Sequence, residues 1–309
     1  MSELRHFSRE DILALDRVRI ADAMADALAM VSRGAAVAPI RGHIDLGAGA
    51  GTFLISGVLT ELDLLSVKVI NVRPDNPTRG LERLQGSLTV FESSTGRPLA
   101  TLDALAATEM RTAACSAVSL RLLARNDASV LVVFGTGPQA AAHLQAMTAE
   151  RQFGEIRIVG RDPNAAAKLA ASIGGKAYAA RDALAGAHVI VTATNSITPL
   201  FPANAVEPGS HVVMVGSGSA ASAEVEPDLL GRASAIRVDH RPTCLQESGE
   251  IVRAIREGLI SKESVRELGE VVLGTALGRT FSDDITVYKS VGNGTQDAAL
   301  AALLLGIQA

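Results

Sequence analysis

The 309-residue sequence has no Trp, 2 Tyr and 7 Phe, so aromatics make up only 3% of it. The core must therefore be built from Ala, Val, Leu and Ile. Binding of single-stranded nucleic acid by base stacking, which needs aromatic platforms, is disfavoured. Positive charge is not in excess: 29 Lys and Arg stand against 33 Asp and Glu, a formal net charge of −4. No basic field exists to attract a phosphate backbone or an anionic membrane. The 2 cysteines, Cys115 and Cys244, lie far apart without metal-ligand spacing, which argues against a disulfide framework and a structural zinc site. Apolar runs are too short or too interrupted for a membrane span of ~20 residues. The opening MSELRHFSRE has no apolar stretch of the secretory kind. These absences lead to the expectation of a cytoplasmic protein with neither nucleic acid nor membrane as partner.

What is present is an ordinary globular balance, 48% hydrophobic and 20% charged, in a chain long enough for two domains. Residues 8–32 read as one helix, opened by a capping box of Ser8 and Asp11 and ended at Gly34. Residues 36–100 contain short β-rich pieces (VAPI, FLISGV, VKVINV, SLTVFES) separated by Gly and Pro, the pattern of an antiparallel or mixed sheet. Residues 103–125 read as helix. From residue 129 the texture changes. VLVVFG, EIRIVG, HVIVTAT, HVVMVGS, IRVDH and TVYKSVG are continuously apolar, as buried parallel strands are, and Ala-rich helices such as 138–149 and 163–173 separate them. This predicts an α/β chain: a doubly wound, Rossmann-type dinucleotide-binding domain over 116–292. A split α+β domain for substrate and dimerisation takes 1–115 together with 293–309. The apolar helix at 295–309 needs a covering surface, on the first domain or on a second copy.

The sharpest motif is Gly135-Thr136-Gly137-Pro138-Gln139-Ala140, placed between a strand and a helix. Gly135 permits the tight turn, Gly137 lets backbone approach a pyrophosphate, and Ala140 allows close packing of helix on strand. The helix N-terminus supplies free N–H groups for the phosphates. At the end of the next strand stands Val159-Gly160-Arg161-Asp162. Gly160 replaces the acid that would hold an NAD ribose, and Arg161 can accept a 2′-phosphate, which favours NADP(H); Asp162 keeps NAD(H) open, although before Pro163 it also reads as a helix cap.

Several segments together carry a family resemblance. VRPDNPTRGLERLQGSLTVFESSTGRPLATLDALAATEMRTAACSA precedes GTGPQA, and VGSGSAASAEVEPDLLGRASAIRVDHRPTCLQESGEI and VYKSVGNGTQDAA follow it. In order and spacing the chain resembles the ornithine cyclodeaminase/mu-crystallin family over nearly its whole length. The resemblance implies a homodimer. It places Arg41, Lys68 and Arg111 at substrate-binding positions, Lys68 and Asp239 in catalysis, and Ser87 and Arg111 near the cofactor. Ser217, with Gly218 and Ser219, then reads as a cofactor-facing loop, and Lys289 and Ser290 as a return beneath the nicotinamide. The chemistry of these residue types agrees. A 2-imino or 2-oxo acid needs a cationic clamp, for which Arg offers a bidentate fork. The nitrogen left after hydride transfer needs a proton or a compensating charge. His240 reads as a packing residue and Cys115 as a small buried hydrophobe.

One departure separates the chain from cyclodeaminating members, which carry a Glu just before a Met-Pro pair ahead of the lysine. Here that stretch is Thr52-Phe53-Leu54-Ile55-Ser56-Gly57, with no acid to meet a distal amine. The expected function is NAD(P)H-dependent reduction of a small 2-imino acid such as pyrroline-2-carboxylate, with no metal. Ornithine cyclodeaminase-type ammonia loss, alanine dehydrogenase-like activity and a mu-crystallin-like binding role are the alternatives.

Overall fold

The structure, a computed structural model, describes residues 4–216 and 218–308. In chain order the first elements are β1 (Arg5–Phe7), α1 (Arg9–Leu13), α2 (Arg17–Ser32), β2 (Ala36–Val37), β3 (Gly42–Gly47), β4 (Ala50–Leu59), β5 (Leu64–Val72), β6 (Leu84–Glu92), β7 (Pro98–Leu102) and α3 (Ala104–Leu123). There follow β8 (Val130–Phe134), α4 (Pro138–Glu150), β9 (Glu155–Val159), α5 (Pro163–Ala171), β10 (Lys176–Ala177), β11 (Val189–Thr192), β12 (His211–Met214), α6 (Asp228–Arg232) and β13 (Ala235–Val238). The chain closes with α7 (Arg241–Glu247), α8 (Gly249–Arg256), β14 (Val265–Glu267), α9 (Leu268–Val272), β15 (Thr286–Lys289) and α10 (Gly294–Leu305).

The chain forms two compact units. One runs through Arg111 and resumes at Gly292; the other is Thr112–Val291. The divisions fall a few residues before the expected 115/116 and at 291/292, within α3 and just after β15.

The first unit is a mixed sheet ordered β1-β7-β6-β5-β4-β2, with β3 added as a hairpin on β4. Its pairings are antiparallel except β1 with β7. Strand alternation decides the faces: Ile55, Lys68 and Leu88 lie opposite one another and are buried, whereas Leu54, Val67 and Val69 point the other way. Helix α10 covers the buried face. Gly57 and Gly294 make this possible, because a Cβ on Gly57 would stand 2.3 Å from the Thr295 nitrogen and one on Gly294 2.2 Å from the Ser56 carbonyl carbon. The Ser66 hydroxyl then donates to the Gly294 carbonyl at 2.6 Å.

The expected helix over 8–32 is two helices. The Ser8–Asp11 capping box is present, but the Asp16 side chain accepts from the Arg19 N–H at 2.9 Å and starts a second helix, while Arg17 donates to the carbonyl of Leu13, the last residue of the first, and to that of Leu15 just beyond it. A captured backbone donor of this kind competes with helix continuation. The last helix is shorter than expected because Gly306 turns left-handed at φ 73°.

The second unit is an all-parallel sheet ordered β10-β9-β8-β11-β12-β15-β13-β14. The chain leaves β8 in one direction for β9 and β10, and returns on its other side as β11. The reversal lies between β8 and β11, where ligands of such sheets bind outside the carboxyl ends of the strands. Core residues such as Val132, Phe134, Ile190, Val212 and Val287 are apolar on both faces, which is why these strands read as unbroken hydrophobic runs.

Candidate active site

In the first unit, β5 projects Lys68 from the covered face of the sheet, and its ammonium is fully buried. It donates to the Thr108 hydroxyl at 2.9 Å and to the Asp297 carboxylate at 2.8 Å. Thr108 and Arg111, one helical turn apart on α3, face the same way. Arg111 donates to the Gln296 side-chain oxygen at 2.7 Å and stands 3.5 Å from the same Asp297 oxygen. Gly292 leaves room for this guanidinium: a Cβ there would sit 2.3 Å from it. Arg41 lies over the Phe53 ring at 4.9 Å, and Phe53 in turn stacks on His43. Burial pushes the Lys68 ammonium down to about 8; Asp297 opposes that shift, and Arg111 and Arg41 add to it by like-charge repulsion. Arg41, Lys68 and Arg111 therefore form one cationic group. Its charge exceeds that of Asp297, so the site can take an anion, and a carboxylate matches the guanidinium fork.

Ser87 does not join this group. It pairs with Val69, the neighbour of Lys68, and so projects from the other face of the sheet.

In the second unit, β8 ends at Gly135, whose φ of 124° and closeness to the Ala193 carbonyl, 2.4 Å from where a Cβ would stand, exclude a side chain. Gly137 caps α4, with nothing within 4 Å of the space a Cβ would fill, so a pyrophosphate can reach the backbone. Pro138 and Gln139 occupy the first turn, and Ala140 is fully buried beneath it. Thr136 closes on Gly160: a Cβ at 160 would stand 2.7 Å from the Thr136 methyl. Arg161 is exposed, and Asp162 caps α5 by accepting from the Asn164 N–H at 2.9 Å. Ser217 lies outside the described residues.

Asp239, at the end of β13, is buried and accepts from the Ser290 hydroxyl at 2.8 Å, the His240 N–H at 2.9 Å and the Val291 N–H at 3.1 Å. It fixes the ends of two adjacent strands to each other. His240 bonds Thr243 at 2.7 Å, in keeping with a packing role, and Cys115 is fully buried. Lys289 is also fully buried, 3.3 Å from the Glu250 carboxylate. Among the described residues no group of His, Cys, Asp and Glu could hold a metal ion, and no helix is long and apolar enough to cross a membrane.

Sequence reasoning missed Thr108, Gln296 and Asp297 as members of the site. A signal existed for Asp297, the one charged residue within Gly294–Leu305. Thr108 offered none, because a helical Thr looks the same whether or not a lysine faces it.

The cationic group suits a small carboxylate, and the glycine loop suits a dinucleotide. The chain belongs to the ornithine cyclodeaminase/mu-crystallin family, whose model matches residues 9–305. It is 32% identical over 277 residues to a Delta(1)-pyrroline-2-carboxylate reductase of Bacillus cereus, covering 87% of this chain and 85% of that one. Over 245 residues it is 31% identical to the ketimine reductase mu-crystallin of Rattus norvegicus, covering 78% and 75%. Two solved structures share the fold at 27% identity. The Thermococcus litoralis Delta(1)-pyrroline-2-carboxylate reductase with NADH and L-proline aligns over 98% of this chain and 99% of that one, with a TM-score of 0.90. The iminosuccinate reductase of Paracoccus denitrificans with NAD+ aligns over 100% of both, with a TM-score of 0.89.

Because the ammonium is the form that binds an anion, kcat/KM for an anionic substrate should fall as pH rises through about 8. Asp297→Asn removes the charge that holds Lys68 protonated, so the midpoint of that fall should move to lower pH. A pH–rate profile whose alkaline limb is the same in both proteins would contradict this role for Lys68.

Proposed function

We propose that the chain reduces the C=N bond of a small 2-imino acid, taking hydride from NADPH at carbon and a proton at nitrogen to give the amino acid. The observation that carries this reading is the buried pair of cations Lys68 and Arg111, with the half-buried Arg41 adding a third positive charge that bears on Lys68. Their surplus charge grips the substrate carboxylate, and fixing the carboxylate orients the trigonal carbon for hydride transfer. The glycine loop from Gly135 to Ala140 holds the pyrophosphate. Asp239, held by donors that include the Ser290 hydroxyl and the His240 and Val291 N–H groups, is the acid that the family resemblance assigns to catalysis. The nicotinamide cofactor brings the hydride; the residues bind and orient.

Deamination of ornithine fits less well. Phe53 and Ile55, on the same face of the sheet as Lys68, stand where a distal ammonium would need an acid. Ammonia release from ornithine without net change in NADH would establish that reading instead. NADPH oxidation by Δ1-pyrroline-2-carboxylate and by 2-oxo acids with amines tests the reductase directly, and no turnover with any of them would sink it.

The preference for NADP(H) is supported by the crowding of Thr136 on Gly160, which leaves no space for an acid, and by the use of Asp162 as a cap. Arg161→Ala should lower kcat/KM for NADPH about tenfold and leave that for NADH nearly unchanged. Equal losses with both cofactors would remove the 2′-phosphate assignment.

A second copy of the chain is the partner that best fits the open face of the first unit, where Ile44, Leu54 and Val67 are 49%, 46% and 39% exposed. Light scattering should give a homodimer, and Leu54→Asp a monomer. A monomeric parent protein would refute this.

A further inference from the structure

Glu224 is an acid in the second unit with no surface to explain it: its side chain is fully buried. One carboxylate oxygen accepts from the Thr194 N–H at 2.7 Å and the Thr194 hydroxyl at 2.6 Å. The other accepts from the Gly216 N–H at 2.7 Å and the Thr192 hydroxyl at 2.8 Å. Each oxygen thus takes one backbone N–H and one hydroxyl. The carboxylate ties the segment leaving β11 to the segment leaving β12, at the carboxyl ends of two neighbouring parallel strands.

The tie reaches the dinucleotide loop. The Ala193 N–H donates to the Phe134 carbonyl at 2.9 Å, and the Ala193 carbonyl abuts Gly135, where a Cβ would stand 2.4 Å away. Holding Thr192 and Thr194 therefore fixes the surface against which Gly135 makes its turn. Gly216 packs as closely: a Cβ there would lie 2.0 Å from the Thr194 carbonyl oxygen and 2.5 Å from Glu224. Glu224 is in turn anchored from behind. Its N–H donates to Glu250 at 2.9 Å, and Glu250 accepts from Ser248 at 2.9 Å and faces the Lys289 ammonium at 3.3 Å. Lys289 and Glu250 therefore support the cofactor loops from within the unit.

We propose that Glu224 is the positioning residue of the cofactor site, locking the loops after β8, β11 and β12 into the shape that receives the dinucleotide. This rests on the dinucleotide reading of the glycine loop and adds a residue to it. The carboxylate form is needed. In Glu224→Gln, either orientation of the amide sets an NH2 against a backbone N–H, which cannot become an acceptor. The hydroxyls can rotate, but the backbone cannot, so one of the two loops must shift.

The test is the dissociation constant for NADPH and NADH by nucleotide fluorescence, with the thermal midpoint and the KM for a 2-imino acid measured alongside. Glu224→Gln should weaken dinucleotide binding about tenfold while the imine KM stays within about twofold. Thr192→Val, which removes one hydroxyl bond to Glu224 from a fully buried position, should weaken it about threefold. A lowered thermal midpoint with unchanged dinucleotide binding in Glu224→Gln would reduce Glu224 to a residue of stability alone. If that variant does not fold, unchanged binding in Thr192→Val overturns the proposal. A parent protein that binds neither dinucleotide overturns it together with the cofactor reading, whereas a failed imine assay leaves the binding test intact.

Discussion

One carboxylate, Asp297, stands between the Lys68 ammonium and the Arg111 guanidinium where solvent scarcely reaches. Burying such charges is costly unless each is paired and hydrogen-bonded, and removing one partner leaves the others exposed to that cost. The first unit is arranged around meeting this requirement. Gly57 and Gly294 let α10 approach β4 at backbone distance, which puts Asp297 beside β5. Thr108 and Gln296 take further donors of Lys68 and Arg111. With Arg41 nearby, the balance stays positive. Charges that are buried and held by hydrogen bonds, as Lys68 and Arg111 are, act on an anion more strongly than the same groups on an open surface, because water screens them less.

The second unit meets a different constraint with a similar device. Parallel strands end in a row, and the loops that follow them lie beyond the ladder of bonds that joins the strands. Two buried carboxylates bind these ends across the sheet. Asp239 joins the exits of β13 and β15, and Glu224 joins those of β11 and β12. Each accepts from two backbone N–H groups as well as from hydroxyls, so the loops are fixed at the level of the chain and not only of its side chains. The rigidity gives a loop of small residues a fixed shape.

Family membership and site geometry agree on the shared chemistry of the group, a nicotinamide cofactor and a small amino or imino acid. They also mark where this chain goes its own way. Phe53 and Ile55 make the wall beside Lys68 apolar, and the Arg41–Phe53–His43 stack brings no acid to it. Binding a distal ammonium there would strip its water without offering a counter-charge. A substrate with a neutral side chain carries no such cost.

Some of this was legible in the amino-acid order because it depends on local physics. Short, continuous apolar runs rich in β-branched residues suit strands covered on both faces, and the Gly135–Ala140 pattern needs only a strand, a turn and a helix start, all adjacent in sequence. A lysine inside an apolar strand was equally conspicuous. The break in the first helix was not, because Asp16 can be read as a helical residue until its side chain is seen to capture a backbone donor. The role of Ser87 turned on strand register, since a neighbour of the lysine's partner projects from the opposite face. Asp297 and Glu224 lie 229 and 32 residues from Lys68 and Thr192, the groups that explain them. Composition and spacing determined the class of fold and the position of the glycine loop within it. Only the tertiary structure decided which acids are buried and what they hold, because a carboxylate's role depends on the donors that folding brings to it.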